Sequence, residues 1–223
     1  MLKHLLQIIL CCFLVESIPY LFADSVDELQ KKIDFEQKHF PKGDLADKAY
    51  VLMILSKMAA MDQEIREKVI KDFKEQWTDP KVGNLLVSMD QFHTTKMKEI
   101  LKCYGWITIS QFGEVADDQA WTLIQHADAD PFFQAGCLFV LSKLIDQGET
   151  SKKNYAYLYD RVALKFPMLG MKQRYGTQVT VSNNEVTILP YEGSLQELNQ
   201  KRHEAGIESE EEYLEVVKKA YLQ

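Results

Sequence analysis

A long segment with helical periodicity restricts the fold of this chain more than any other feature. From about Asp44 to Trp77, positions three and four residues apart trace one face of an α-helix. This stripe consists of Leu45, Ala49, Leu52, Ser56, Ala59, Gln63, Arg66, Ile70, Phe73 and Trp77. Gln63 and Arg66 stand on it where apolar residues are expected, so the long helix carries polar groups toward a core.

Helix start and stop signals predict further helices on both sides of this segment. Ser25 and Glu28 have the spacing of a capping box, and Pro80 suits a first helical position before a helix that Gly105 ends. "WITISQFG" reads as a connector. Three more helices are predicted, from about Glu114 to Ala127, from Pro131 to Gln147 and from Lys152 to Phe166.

The pattern changes after residue 170. Val179 and Val181 alternate against Val186 and Ile188 around two asparagines, which is typical of a β-hairpin because asparagine accepts the positive φ of a tight turn. Two short helices follow, each opened by a capping box (Ser194 with Glu197, Ser209 with Glu212) and separated by Gly206. The sequence therefore predicts a mainly α, single compact multi-helix domain with one small C-terminal hairpin and two short C-terminal helices.

The first 23 residues predict an export signal, which leaves residues 24–223 as the domain. Lys3 and His4 precede the apolar run "LLQIILCCFLV", which is too short for a comfortable membrane span. Ala23 is small at the last position before a predicted cleavage site. An uncleaved anchor is the alternative, but Glu16 and Pro19 interrupt the apolar run. We expect an exported protein, periplasmic or secreted, with no stable membrane span after cleavage.

The charge balance limits the partners of the chain. Its net charge is −7, and it has no long basic run. An acidic surface repels phosphates, so nucleic acid is not an expected partner, and the sequence identifies no protein partner. Cys103 and Cys137 remain after signal cleavage, and an oxidising compartment permits them to pair. Two separate buried thiols are the alternative that we favour, because Cys137 lies in an apolar helical stretch.

Polar side chains recur at positions that otherwise read as buried. Buried polar groups must be paired, so such residues indicate an internal network that is either structural or functional. They lie on several predicted helices and around Gly176, a glycine that permits close backbone approach. The candidate ligand-binding residues are Gln63, Arg66, Gln125, Gln134, Gln173, Tyr175, Thr177 and Gln178.

His126, Asp160 and Arg161 are the candidate catalytic residues. Histidine titrates near neutral pH and is the commonest general acid or base, but a lone histidine is also often a bonded group between helices. Asp160 and Arg161 are neighbours on a helix, so they diverge and must find partners elsewhere. An ion pair between helices is the alternative to a catalytic role for these two residues.

The stretch "HADAD" raises the question of a metal site. His126, Asp128 and Asp130 alternate at a helix end, and no second histidine or cysteine lies nearby at ligand spacing. Asp130 directly precedes Pro131, which is better explained by an N-cap. The sequence predicts no metal site and no cofactor, and it contains no P-loop or dinucleotide fingerprint.

Five motifs resemble those of an uncharacterised bacterial domain family of unknown function. They are "MDQEIR", "GW", "FGEVADDQAWTLIQHADADPFFQAGCL", "YLYDRV" and "QRYGTQ", and the tail "ELNQKRHEAGIESEEEYL" is similar too. The resemblance covers essentially the whole chain after the signal but implies no reaction. It implies that the recurrent polar positions of the family fall on Gln63, Arg66, His126, Gln134, Asp160, Arg161, Gln173, Tyr175 and Gln178.

Two functions remain open at this point. In the first, the polar residues form a pocket that binds a small polar ligand and hydrolyses it or transfers a group. His126 would then be the base or acid, Asp160 would orient it, and Arg66 or Arg161 would hold an anionic group. In the second, the polar residues only tie helices together, and the acidic C-terminal arm, Glu208 to Glu215, docks a partner or forms a dimer. An exposed apolar patch of Ile207, Tyr213, Val216 and Tyr221 would then lie beside this arm.

Overall fold

Helices make up most of the computed structural model, which describes residues 23–73, 79–182 and 185–222. In chain order they are α1 (Ala23–Lys38), α2 (Lys48–Asp72), α3 (Pro80–Tyr104), α4 (Ile109–Phe112), α5 (Glu114–Gln125), α6 (Pro131–Leu144), α7 (Lys152–Lys165), α8 (Leu195–Glu204) and α9 (Glu210–Leu222). Strands β1 (Val179–Ser182) and β2 (Glu185–Ile188) form an antiparallel hairpin between α7 and α8. This confirms the predicted mainly α domain, whereas the predicted signal lies, apart from Ala23, outside the described residues.

Local capping chemistry sets most helix boundaries. The Asp130 carboxylate accepts the N–H of Phe133 at 3.0 Å, so Asp130 is the predicted N-cap of α6. Gly105 ends α3 with a φ of 71°, a conformation that glycine adopts without strain. The capping box of Ser194 and Glu197 opens α8, and the equivalent bonds of Ser209 and Glu212 precede α9.

Two predicted helix starts are wrong, and one short helix was not predicted. Helix α1 already begins at Ala23, so Ser25 lies inside it. Helix α2 begins at Lys48, because the Asp47 carboxylate accepts the N–H of Ala49 at 2.9 Å and caps the helix there. The predicted connector contains the short helix α4, which is too brief to show a periodic pattern.

The buried face of α2 also differs from the predicted stripe. Ala49, Leu52 and Ser56 are exposed, whereas the buried residues are Val51, Ile54, Leu55, Met58, Ala59, Met61, Asp62, Ile65, Arg66 and Val69. Both sets have helical spacing, but the observed set contains more large apolar side chains and therefore buries more apolar area. The rotation places Asp62 in the interior.

Within the described ranges, the buried apolar residues form a large core and two smaller ones. Helices α2, α3, α5, α6 and α7 surround the large core, where α2 packs on α5 and α6 packs on α7. Trp106, Trp121 and Tyr157 are among its largest side chains. A second core joins α1, α2 and α3, and a third lies between the hairpin and α9.

Most large apolar residues of the C-terminal region face inward, although Leu195 at the start of α8 is exposed. Tyr213 and Val217 are fully buried with Val179 and Val186 of the hairpin, and Ile207 is buried in the large core. The exposed patch predicted for a docking function is therefore wrong for Ile207 and Tyr213, because these side chains cover their own domain. The side chain of Tyr221 lies outside the described part of the chain.

The same C-terminal helices hold the loop that precedes the hairpin. The buried Arg202 guanidinium donates from Nη1 to the carbonyl oxygens of Tyr175 and Gly176, at 2.7 and 3.1 Å. The Tyr213 hydroxyl donates to the carbonyl of Thr177 at 2.5 Å. Residues 175–177 are thus fixed from the C-terminal side.

Cys103 and Cys137 are both free thiols. Cys137 is buried as predicted, whereas the prediction is wrong for Cys103, which is exposed. Among the described helices, none has the length and apolar content that a membrane crossing requires.

Candidate functional site

His126 is held by a carboxylate from a different helix. It is the C-cap of α5, its side chain is 2% exposed, and its Nδ1 lies 2.9 Å from Oδ1 of the fully buried Asp62 on α2. Because an ionised carboxylate can only accept, the Nδ1 nitrogen carries the proton of this bond. The bond fixes the orientation and tautomer of the imidazole, which is what a carboxylate does for a catalytic or metal-binding histidine.

An arginine links this pair to a second carboxylate. Arg66 lies one turn after Asp62 on α2, and its Nε donates to Asp62 Oδ1 at 3.0 Å. Its Nη2 donates to Oδ1 of Asp90, which belongs to α3. We call Asp62, Arg66, Asp90 and His126 the His126 cluster. Asp90 is its most exposed member, with 14% of its side chain accessible, so solvent reaches the cluster at Asp90.

The two carboxylates of the His126 cluster have opposite pKa shifts. Burial alone would raise the pKa of Asp62, but the charges of Arg66 and His126 outweigh it and lower that pKa far below its usual range. Burial raises the pKa of Asp90 to about 6, against the opposing effect of Arg66. Asp62 is therefore a permanent anion near neutral pH, whereas Asp90 can exchange a proton there.

His93 lies beside the His126 cluster without a hydrogen bond of its own. It follows Asp90 by three residues on α3, so both project from the same side of that helix. Its side chain is 1% exposed, and neither ring nitrogen has a hydrogen-bond partner among the described residues. Burial lowers the pKa of His93 to about 4, with Arg66 and His126 acting in the same direction and Asp62 opposing.

The buried His93 should make stability depend on pH. Its folded pKa of about 4 lies below its ordinary value of 6.5, so between these values the unfolded chain binds more protons. The stability that neutral His93 contributes is therefore lost as pH falls from about 6.5 to 4. At about 1.4 kcal/mol per pH unit, we expect about 2–3 kcal/mol more loss between pH 7 and 4.5 than in His93→Leu. Urea unfolding at both pH values measures the difference, and equal losses in the two proteins would contradict the assignment.

Asp160 does not contact His126, so the predicted pairing of these two residues is wrong. Its Oδ1 accepts the N–H groups of Arg174 and Tyr175, at 2.6 and 3.1 Å. Its Oδ2 accepts the N–H and the hydroxyl of Thr177, at 2.9 and 3.0 Å. Burial raises the pKa of Asp160 to about 6, although these bonds act against the increase. The carboxylate shapes the loop before the hairpin.

Arg161 is engaged by Asp128. Its Nε and Nη2 donate to the two Asp128 oxygens at 3.0 and 2.6 Å, a bidentate pair, and its Nη1 lies 3.4 Å from the Gln178 amide oxygen. Lys165 also pairs with Asp128, at 3.2 Å. Since Arg66 is likewise bound to two carboxylates, both predicted anion-holding residues already have anionic partners within the protein.

Several predicted glutamines hydrogen-bond to backbone groups of the protein. The Gln134 amide nitrogen donates to the carbonyls of Ile124 and Gln125, at 3.1 and 3.0 Å, and so covers the C-terminus of α5. Gln173 and Gln178 bond to each other through side chain and backbone, at 2.7 and 3.0 Å. With its amide oriented to satisfy both donors, the Gln125 oxygen accepts from the Trp121 indole and from the backbone of Leu158.

The contacts thus place the predicted site residues in two networks. Gln63, Arg66 and His126 meet at Asp62, to which the Gln63 amide also donates at 2.8 Å. The second network, which we call the α7 network, surrounds Asp160 and Arg161 and contains Gln134, Gln173, Tyr175, Thr177 and Gln178. Gln125 is buried beside the large core.

Sequence reasoning missed three residues of the site. Asp62, Asp90 and His93 were not singled out, although Asp90 follows the buried Leu86, and His93 the buried Met89, by four residues. One ligand atom each from Asp62, Asp90 and His126 lies within 4.8 Å of the others, which is a group that can hold a metal ion. The local set considered from "HADAD" does not form, because Asp128 pairs with Arg161 and Asp130 caps α6.

Two surface cavities lie away from both networks. One, of about 290 Å³, is lined by Ile109, Glu114, Asp117, Asp118, Trp121, Ser151, Lys153 and Asn154. Burial raises the pKa of Asp117 there, and its carboxylate already accepts bonds from Trp106, Thr150 and Asn154. The other cavity, of about 220 Å³, lies between residues 41–54 and α3. No predicted site residue lines either cavity.

The comparisons with known proteins give one match. The sequence model of a family of unknown function, DUF6624, matches residues 51–223, a span that includes both networks. No curated protein and no solved structure matches the chain.

Proposed function

Since the chain belongs to DUF6624, a family whose description names no reaction, we propose a function from the chemistry of the His126 cluster. The protein binds a small polar ligand at this cluster and acts on it as a hydrolase or group transferase. The same membership confirms the resemblance noted from the sequence motifs.

The observation that carries the proposal is the buried pair of Asp62 and His126. An imidazole whose Nδ1 donates to a carboxylate is oriented for proton transfer, and the carboxylate stabilises the imidazolium that forms. Arg66 fixes that carboxylate from a second direction. Asp62 therefore takes the orienting role that the sequence had assigned to Asp160.

Asp90 is the second group suited to move a proton. A carboxyl with a pKa of about 6 is populated in both protonation states near neutral pH, so it can act as acid or base. Its partial exposure makes it the member of the cluster that an entering ligand meets first. Hydrolysis or group transfer suits two proton-exchanging groups, and the sequence has no fingerprint for a redox cofactor.

Export is part of the proposal and is supported by residues 1–23. A charged start, a short apolar run and a small residue before Asp24 are the three features of a secretory signal. The protein would act in the periplasm or outside the cell.

Binding of small polar compounds tests the proposed function. We expect at least one member of a panel of sugars, amino acids, nucleosides and p-nitrophenyl esters to raise the melting temperature of the purified protein. A ligand at a hundred times its Kd stabilises by about 2.7 kcal/mol, which corresponds to roughly 5–10 °C here. The increase should be lost in Asp90→Asn and His126→Gln and kept in His203→Gln, an exposed control.

The second candidate function is a helix-tying network, which the α7 network favours because its polar groups bond to the protein's own loop and helix ends. If no compound stabilises the protein and p-nitrophenyl esters are not hydrolysed, while His126→Gln only lowers stability, this second candidate replaces the first.

A further inference from the structure

We propose that the His126 cluster binds one divalent transition-metal ion through Asp62, Asp90 and His126. The inference rests on the proposed function for its location, because both require the cluster to be a binding site. The metal site adds a class of cofactor to the proposed function. With an ion bound, His126 is a ligand, and the activated water of a hydrolysis belongs to the ion rather than to a histidine base.

The geometry is close to that of a three-ligand site. One atom each from the three residues lies within 4.8 Å of the others, and the Asp62 and His126 atoms that face each other are 2.9 Å apart. Ligand atoms about 2.0–2.2 Å from a tetrahedral ion are separated by roughly 3.4 Å. The ligands come from α2, α3 and the C-terminus of α5. An ion that replaces the proton between Asp62 and His126 requires their two facing atoms to move apart by about half an ångström.

The donor chemistry selects the kind of ion. Imidazole with two carboxylates suits zinc, manganese or ferrous iron, whereas magnesium and calcium prefer oxygen alone. Three protein ligands leave a coordination position for water or substrate, as in catalytic zinc sites. We therefore expect Zn²⁺ or Mn²⁺ to bind and Mg²⁺ to bind far more weakly.

The charges of the cluster leave a place for a cation. With both carboxylates ionised and Arg66 positive, one negative charge remains uncompensated in a nearly dry site. Such a charge is costly unless a proton or a cation neutralises it. A divalent ion brings two positive charges, one more than the site lacks, so the ion can also bind an anionic ligand such as hydroxide.

His93 supplies an independent observation. It projects from the same side of α3 as Asp90, it is almost completely buried, and both ring nitrogens lack a hydrogen-bond partner in the described residues. A buried imidazole without a partner is rare because it loses its bonds to water and gains none. A metal-bound water beside Asp90 would give His93 such a partner.

Arg66 and Gln63 then act as positioning residues. Arg66 donates to one oxygen of each carboxylate, and the Gln63 amide donates to the second oxygen of Asp62. Metal-ligating carboxylates are themselves hydrogen-bonded in this way, which holds them in place for the ion. The guanidinium also keeps two like charges close together before an ion arrives.

Calorimetric titration of the chelator-treated protein with Zn²⁺, Mn²⁺ and Mg²⁺ tests the site. We expect one equivalent of Zn²⁺ or Mn²⁺ to bind, with proton release when His126 becomes a ligand. Asp62→Asn, Asp90→Asn and His126→Gln should each weaken binding about ten-fold or more. The exposed controls Asp146→Asn and His203→Gln should bind as the unchanged protein does. A Co²⁺ complex should show the visible absorption of a nitrogen- and oxygen-ligated ion.

Circular dichroism separates lost binding from lost folding. If Asp62→Asn does not fold, Asp90→Asn decides, because its side chain is the most exposed of the ligands. Absence of Zn²⁺ and Mn²⁺ binding, or equal binding by all variants, would overturn the metal site. The compound panel could still support the proposed function in that case. Conversely, if an ion binds but no compound raises the melting temperature, the metal site stands and the proposed binding of a small polar ligand is wrong.

Discussion

Replacement of Asp62 by alanine should lower the free energy of unfolding by about 3–5 kcal/mol, the usual cost of removing one partner of a buried ion pair. Asp62 is fully buried and accepts bonds from Gln63, Arg66 and His126. Its loss leaves the Arg66 guanidinium, itself 2% exposed, with Asp90 alone. The His126 ring also loses the carboxylate that orients it.

Urea unfolding at pH 7 measures this effect. Glu67→Ala is the matched control, because Glu67 is an exposed carboxylate on the same helix, and its removal should change stability by no more than about 0.5 kcal/mol. The sign of the pH dependence provides a second check. The folded pKa of Asp62 is lowered, so its contribution is present above about pH 4 and is lost as pH falls further. An Asp62→Ala protein as stable as Glu67→Ala would mean that the described contacts do not form.

Replacement of Asp160 by alanine should have a comparable effect, about 3–5 kcal/mol, for a different reason. The carboxylate accepts three backbone N–H groups and a hydroxyl from the loop at residues 174–177. Each buried donor left without an acceptor costs about 1–3 kcal/mol, and some of them will reach water after the loop relaxes.

Hydrogen exchange distinguishes this mechanism from general destabilisation. In Asp160→Ala, the exchange rates of the Arg174, Tyr175 and Thr177 amides should rise more, relative to the unchanged protein, than those of the large core, because the loop opens locally. Asp146→Ala, which removes an exposed carboxylate between α6 and α7, serves as the control. Uniformly faster exchange throughout the domain would show that Asp160 stabilises the whole fold rather than the loop.

The fold was largely predictable because its boundaries are encoded locally. Capping residues such as Asp130 and Ser194 act within one helical turn, so their effect can be read from neighbouring positions. The hairpin was predictable for the same reason. The start of α2 was not, because Asp44 and Asp47 are both acceptable caps, and only packing decides between them.

The site was predictable only in part. Arg66 and His126 stood out as polar residues among apolar neighbours, and both are buried in the His126 cluster. Asp62 was overlooked because the predicted stripe of α2 was rotated away from the observed buried face. The sequence of α2 contains two stripes of residues with helical spacing. The apolar area that each stripe buries depends on helices that are distant in the chain, so the sequence of α2 alone does not show which stripe faces the core.

The partner of a buried charge was the least predictable feature. Asp160 and His126 both read as buried polar residues, and nothing in their spacing shows the direction in which each side chain projects. Asp62 lies 64 residues before His126, whereas the loop bound by Asp160 begins 14 residues after it. Asp62 and His126 meet because their helices pack together, whereas Asp160 meets its loop because the two are close in the chain.

The support of residues 175–177 by Arg202 and Tyr213 has a consequence for biosynthesis. Tyr213 is translated 36 residues after Thr177, and Arg202 is translated 27 residues after Tyr175. On the ribosome, the loop therefore receives its last partners only after α8 and Tyr213 of α9 have emerged from the exit tunnel. A premature stop codon before Arg202 would release a chain in which helices α1 to α7 are complete but the loop is held by Asp160 without Arg202 and Tyr213.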